Sequence, residues 1–336
     1  MVWLDNSRII AIIAVVFLHS AAGVVTGSPL GTQSWWIGNL YDSLVRWCVP
    51  VFVMISGALL LDPGKKEDLK VFYIKRLSRL LIPIIFWSAF FLMWTAIKGA
   101  MNGEPLRTGH LAKGLLSGRP YYHMWFLYMI LSLYLFTPFI RIIISASSRY
   151  EIVALVTFLF IFSALNAIGE KLGLYESKLF INWFLYFLPY FILGHIVKTS
   201  KITITKNILF MIFCMSVFLT ALGCYIFAVI KGLEAGLYFY DYLSITVMPM
   251  SISIFCLLKL WINPIGNESL SKGIAALTLG VYLIHPVFLE AIIYAGYGPL
   301  SFNQAVSIPV TSTVIFVMSL GVAWVISKTP YIKRII

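Results

Sequence analysis

Arg8 and His19 stand eleven residues apart in the first apolar run of the chain. At 100° per residue that spacing is about three helical turns plus 20°, so a helix carries both on one face, about 16 Å apart along its axis. Asp5 lies one turn ahead, in register to pair with Arg8. Such a stripe offers a guanidinium for anionic oxygens at one end and an imidazole at the other. Imidazole serves as a general base or a nucleophile near neutral pH. Each residue also has a plainer reading: His19 as a structural histidine bonded to a neighbouring helix, Arg8 as a charged anchor at a helix end.

Arg76 and Arg79 are three apart in Lys75-Arg-Leu-Ser-Arg79, hence neighbours on one helix face. Two guanidiniums so placed form a fork for phosphate oxygens, and an interfacial anchor is the alternative. Arg46, in Asp42-Ser-Leu-Val-Arg46, lies about six residues inside one end of the second apolar run, and His19 about seven inside the matching end of the first. On antiparallel helices they share a depth, where they would supply a general base and a charge to steady an oxyanion. Pro50 frees backbone and Gly57 allows close helix approach. In Tyr121-Tyr-His123-Met-Trp125 an interfacial aromatic belt accounts for the Tyr and Trp but not for His123. Aromatic rings also stack on sugar faces, so an acceptor site is the other reading. His285 and Glu290 are five apart and on different faces of one helix, so they need not pair; a cavity role for one of them is expected. Asn166, His195 and Asp241 lie near the ends of runs, where water or headgroups would satisfy them.

The elements that must position these groups follow from composition. The chain has 336 residues, 60% hydrophobic and only 11% charged, whereas soluble domains carry about 25% charged residues. Such a chain cannot cover a globule with polar surface, so its solvent is lipid. Apolar runs near the ~20 residues that span a bilayer fall at 7–26, 40–61, 77–98, 121–145, 150–168, 182–198, 206–231, 237–260, 274–297 and 304–327. They predict an all-α polytopic membrane helical bundle of about ten transmembrane helices, one unit over residues 1–336. The first run is read as a membrane helix and not as a cleaved leader, because Asp5 offsets Arg8.

The net charge of +12 resides mostly between the runs, so it reads as topology signal and headgroup or phosphate contact, not as nucleic-acid binding. With the N-terminus in the cytoplasm, 17 of the 25 Lys and Arg residues fall inside and 7 outside, with Arg46 in the membrane. The inside set includes Lys65 and Lys66; the outside set includes Arg107, Lys113, Lys171 and Lys178. Both termini are therefore expected to be cytoplasmic. The longest connection, 99–120, reads as a surface loop, and the sequon at Asn267 falls inside and reads as chance. Cys48, Cys214, Cys224 and Cys256 show neither CxxC nor metal-ligand spacing and read as small buried apolar residues; no metal is expected. Phosphate-loop, dinucleotide, zinc-protease and serine-hydrolase motifs are absent from the sequence.

An ordered set of segments resembles acyltransferase family 3. It comprises Leu4-Asp-Asn-Ser-Arg8 with Phe17-Leu-His19-Ser20, and Arg46 ahead of Val49-Pro-Val-Phe52 and Met54-Ile-Ser-Gly57. Arg76, Arg79 and Pro83 follow, then His123 with Trp125-Phe-Leu127, Tyr134 and Pro138, and finally Gly280-Val-Tyr-Leu-Ile-His-Pro286. The nearest subgroup is that of surface-polysaccharide O-acyltransferases, such as those that acetylate enterobacterial common antigen. The resemblance implies ten or so helices and an acyl-CoA donor, acetyl-CoA by default, reaching the protein from the cytoplasm. It implies an essential first-helix histidine, matched by His19, and an Arg-x-x-Arg pair, matched by Arg76 and Arg79. Joined to the residue reading above, this gives an expected mechanism in which Arg8, Arg76 and Arg79 hold the donor phosphates. His19 acts as general base or transient acyl carrier, and Arg46 steadies the oxyanion. His123, Trp125, His285 and Glu290 hold the acceptor, a surface polysaccharide or its lipid-linked precursor. The expected setting is a bacterial cytoplasmic (inner) membrane, with membrane lipids as further partners. Family members often carry Gly where Asn6 or Ser7 stands here. Two other classes fit the composition. A transporter or exporter also needs polar groups at mid-membrane, although no internal repeat is evident. A glycosyltransferase using lipid-linked sugars usually carries larger outer loops.

Overall fold

The structure, a computed structural model, describes residues 1–64, 67–103, 109, 114–171 and 183–336, the side chains of 166, 169–171 and 183–184 excepted. Its helices are α1 (Val2–Gly27), α2 (Gln33–Val45), α3 (Cys48–Leu60), α4 (Leu69–Met101), α5 (Trp125–Ala146), α6 (Arg149–Lys171), α7 (Trp183–Thr199), α8 (Lys206–Lys231), α9 (Val247–Lys259), α10 (Glu268–Tyr294) and α11 (Gln304–Lys328). Among the described residues there are no strands. Among the same residues seven spans are long and apolar enough to cross a bilayer, with α2 and α3 counted as one. The chain is thus an all-α, multi-pass membrane bundle. Lys65, Lys66, Arg107, Lys113 and Lys178, and the side chains of Asn166 and Lys171, lie outside the described residues.

Several helices differ from the expected runs for local reasons. The second run begins earlier, at Gln33, because the Thr32 hydroxyl accepts from Trp35 N and caps the helix. It then breaks at Arg46–Trp47. Pro50 has no N–H for the Arg46 carbonyl, and its ring crowds that carbonyl, so the break falls four residues upstream. α4 runs 33 residues from its Asp68 cap, about 50 Å at 1.5 Å per residue, so Arg76 and Arg79 ride on the helix and residues 99–101 belong to it. The fourth helix starts at Trp125, which leaves Tyr121, Tyr122 and His123 in the turn before it. The eighth shrinks to the 13 residues of α9. Ahead of it, Asp241 Oδ1 accepts from Leu243 N at 2.8 Å and Ser244 Oγ from Val247 N at 3.2 Å, local bonds that compete with helix. Asn267 caps α10, accepting from Leu270 N, which gives this asparagine a structural use.

α1 is the central post, packed against α2, α3, α9, α10 and α11. Its Asn6 is fully buried. It donates to the Asn263 carbonyl at 2.7 Å and accepts from Ile265 N and Ser271 Oγ, tying the α9–α10 connection to α1. α3 and α7 cross backbone to backbone. A Cβ on Gly57 would lie 1.7 Å from the Phe191 carbonyl oxygen, and one on Gly194 would lie 1.9 Å from that of Met54. Two glycines facing each other's backbones are what membrane helices use for van der Waals contact without hydrophobic drive.

Candidate active site

Three histidines from different parts of the chain meet in the bundle interior. His19 of α1 stacks on His285 of α10, ring centroids 5.2 Å apart. His123, from the turn before α5, stands edge-on to His285 at 5.6 Å. His123 and His285 are buried, while His19 is half-buried. Pro286 explains how His285 is held. Lacking an N–H, it leaves the Tyr282 carbonyl without its helical partner. His285 Nδ1 donates to that carbonyl at 2.7 Å and to the Val281 carbonyl at 3.2 Å. Carbonyls only accept, so the proton is assigned to Nδ1 and the lone pair to Nε2. That Nε2, like both ring nitrogens of His123, is buried without a hydrogen-bond partner. Buried polar atoms are normally paired, and a catalytic role is one of the recognised reasons for a cluster of exceptions.

Below this cluster lies a cavity of about 500 Å³ whose lining includes Arg8, Ser56, Arg76, Arg79, Tyr134 and Tyr282. Three of the four arginines singled out from the sequence, Arg8, Arg76 and Arg79, therefore share one cavity. Arg8 keeps a loose pairing with Asp5 at 3.4 Å. Arg76 Nε is buried with no partner. Other cations near this end are engaged: Arg141 Nε donates to the Leu60 carbonyl at 2.6 Å, and Lys259 Nζ to those of Val197 and Ser200. Those bonds cap helix ends, where positive charge is favoured. The roof of the cavity is Tyr282. Its ring lies 5.3 Å from His123, and its hydroxyl donates to the His123 carbonyl.

At the other end of α1 opens a larger cavity of about 690 Å³, lined by Asp42, Arg46, Tyr122, Trp125, Tyr240 and Tyr242 among others. Ala22 and Thr26 line it too, and they continue the α1 stripe that holds Arg8 and His19. Tyr122 separates this cavity from His19, its ring 5.0 Å from the imidazole. Arg46 is engaged here: it pairs with Asp42, and its guanidinium sits 4.1 Å over the Tyr240 ring. A third, smaller cavity of about 280 Å³ reaches His19 directly, between α1 and Gly298–Ser301. Glu290 belongs to a different network from His285. It accepts from Lys98 Nζ at 2.7 Å, from Trp94 Nε1 at 2.9 Å and from the Tyr121 hydroxyl, joining α4, the turn before α5 and α10. Among the described residues no cluster has the geometry to hold a metal ion.

The family model described as an acyltransferase domain matches residues 1–328. The chain belongs to acyltransferase family 3. No curated protein matches it, and no solved structure does. In this member of the acyltransferase family, the likeness read from scattered segments extends over nearly the whole chain, and the membrane bundle is the acyltransferase domain itself. The bundle brings His19, His123 and His285 together and gathers Arg8, Arg76 and Arg79. It sets Trp125 and Arg46 on another cavity and Glu290 in a separate network. Three features of this acyltransferase escape a reading of single residues. Tyr122 and Tyr282 sit at the two doors of the histidine cluster, and nothing in their spacing sets them apart from belt tyrosines. The Asp42–Arg46 pair has a signal, the i,i+4 order of acid before base. The non-helical stretch 241–246 is masked in the sequence by its apolar neighbours.

Proposed function

We propose that the protein transfers an acyl group, acetyl by default, from a coenzyme A thioester to a sugar hydroxyl of a surface polysaccharide or its lipid-linked precursor. In this reading it sits in a bacterial cytoplasmic membrane with ten passes and both termini inside. The observation that carries it is the cavity that runs from Arg8, Arg76 and Arg79 to Tyr282, directly beneath the histidine cluster. Three guanidiniums suit the phosphates of coenzyme A, and the unpartnered Arg76 Nε is a donor in want of such an acceptor. The thioester arm lies along α1 toward His19.

At the cluster, His19 takes the proton of the acceptor hydroxyl as its oxygen attacks the thioester carbonyl. The C–S bond breaks, and the thiol leaves with a proton. In the alternative form His19 first carries the acyl group and then passes it on. His285 acts beside it, with the Nε2 lone pair placed to take or share a proton. Arg46, His123 and Trp125 belong to the acceptor side, with Arg46 supplying positive charge for the developing oxyanion. The Lys98–Glu290 pair holds that side of α4 against α10.

Two variants test these roles. Arg76→Ala with Arg79→Ala should raise the donor KM by at least about tenfold, since each lost charged hydrogen bond is worth ~1.5–3 kcal/mol. A donor KM that does not move would remove the phosphate assignment. His285→Ala should lower kcat by about 10²–10⁴-fold, the usual range for a lost proton-transfer partner. Steady-state kinetics at matched protein levels would read this, and an unchanged kcat would make His285 a packing residue.

A further inference from the structure

The cavity at the far end of α1 carries features that acyl donor binding does not use. Its volume of about 690 Å³ falls in the ~300–1,000 Å³ range of small-molecule sites. One wall is aromatic: Trp125 stacks on Tyr242, ring centroids 5.8 Å apart, and tilts against Phe187 at 5.7 Å. The facing groups are Asp42 and Arg46. Asp42 is completely buried, and its Oδ1 has no hydrogen-bond partner. Arg46 Nε is likewise buried and unpartnered, although its other nitrogens reach Asp42 and the Tyr240 carbonyl. An acceptor atom and a donor atom of one ion pair, both unsatisfied beside a cavity, match a ligand that both donates and accepts. A hydroxyl does both. Among the described residues the lining holds Asp42 and Asp241 against Arg46 and Arg119, so neither sign of charge predominates. A charged ligand would meet a buried like charge that solvent screens little.

The frame of this wall is rigid. The Tyr190 hydroxyl donates to the Tyr242 carbonyl at 2.6 Å, and Tyr240 donates to Asn39 Oδ1 at 2.6 Å. The non-helical backbone at 241–246 thus has a use, because irregular backbone at membrane depth is tolerated where it lines a cavity.

We propose that this cavity is the acceptor subsite for an uncharged sugar, its ring face on Trp125 and its hydroxyls bonded to Asp42 Oδ1 and Arg46 Nε. The proposal rests on the acyltransfer reading above. The sugar reaches His19 past Tyr122, on the stripe of α1 that continues through Ala22 and Thr26.

The test uses the full-length protein in a detergent without a sugar headgroup. Nitrophenyl glycosides of a neutral hexose, a 6-deoxyhexose, an N-acetylhexosamine and a hexuronic acid serve as acceptors, with radiolabelled acetyl-CoA as donor. Retention of labelled acetyl-CoA on the protein is measured separately. Wild-type protein should acetylate neutral glycosides in preference to the uronide. Asp42→Asn, which keeps the shape of the side chain, and Trp125→Leu should each raise the acceptor KM by about tenfold and leave the donor KM within about twofold. An acceptor KM unmoved by both variants overturns the subsite. So does preference for the uronide, or failure of every glycoside with a wild-type protein that retains acetyl-CoA. A wild-type protein that does not retain acetyl-CoA overturns the donor reading instead, and the subsite with it.

Discussion

His19→Ala is expected to reduce acyl transfer by about 10²–10⁴-fold, the contribution of a positioned base or nucleophile, while acetyl-CoA is still retained. His19 lines the cavity between α1 and Gly298–Ser301, stacks on His285, and touches Tyr122 at the door of the aromatic cavity. Arg8, which shares its cavity with Arg76 and Arg79 of α4, lies about 16 Å further along α1 by helical rise, so removing the imidazole leaves the phosphate site intact. Single-turnover transfer read beside donor binding separates the two effects. A variant that lost donor binding along with transfer would place His19 in the fold instead of the chemistry. His19→Gln, which keeps a polar side chain of similar reach, should be as inactive as the alanine variant.

Gly57→Ala is expected to remove folded protein from the membrane, and Gly194→Ala to do the same. Each added methyl would fall inside a backbone carbonyl of the facing helix, 1.7 Å and 1.9 Å from its oxygen. Ordinary overpacking costs ~1–3 kcal/mol because side chains yield. Here only the α3 and α7 backbones could yield, and the cost approaches the ~5–15 kcal/mol that stabilises a typical domain. Gly321→Ala supplies the contrast. A Cβ there meets nothing within 4 Å, and alanine suits a helix interior better than glycine. Its yield and detergent elution profile should equal or exceed those of the wild type. Equal yields of Gly57→Ala and Gly321→Ala would show that the crossing is looser than its geometry.

The sequence displays the lipid-facing bundle because apolar composition leaves no other solvent. It displays the Arg8–His19 stripe because helix periodicity needs no tertiary information. The meeting of His19, His123 and His285 is not legible in this way, since it depends on how α1, α10 and the turn before α5 pack. Helix ends depart from the apolar runs where local chemistry overrides hydropathy. Pro50 breaks the second run at Arg46, and Asp241 and Ser244 hold 241–246 out of helix. Both departures put functional candidates on the aromatic cavity, which hydropathy alone passes over. Arg46 shows the limit from the other side. Its pairing with Asp42 is signalled by the i,i+4 spacing, whereas its seat over the Tyr240 ring is not legible in the sequence.

The most direct test of the central claim is transfer of radiolabelled acetyl from acetyl-CoA into base-labile material, in isolated membranes that contain the protein and have been de-energised with an uncoupler. Acyl transfer predicts that saccharide is labelled in the absence of any gradient and that His19→Ala membranes remain unlabelled. Saccharide left unlabelled by wild-type membranes, together with solute movement that requires the gradient, would contradict the account and favour a transporter.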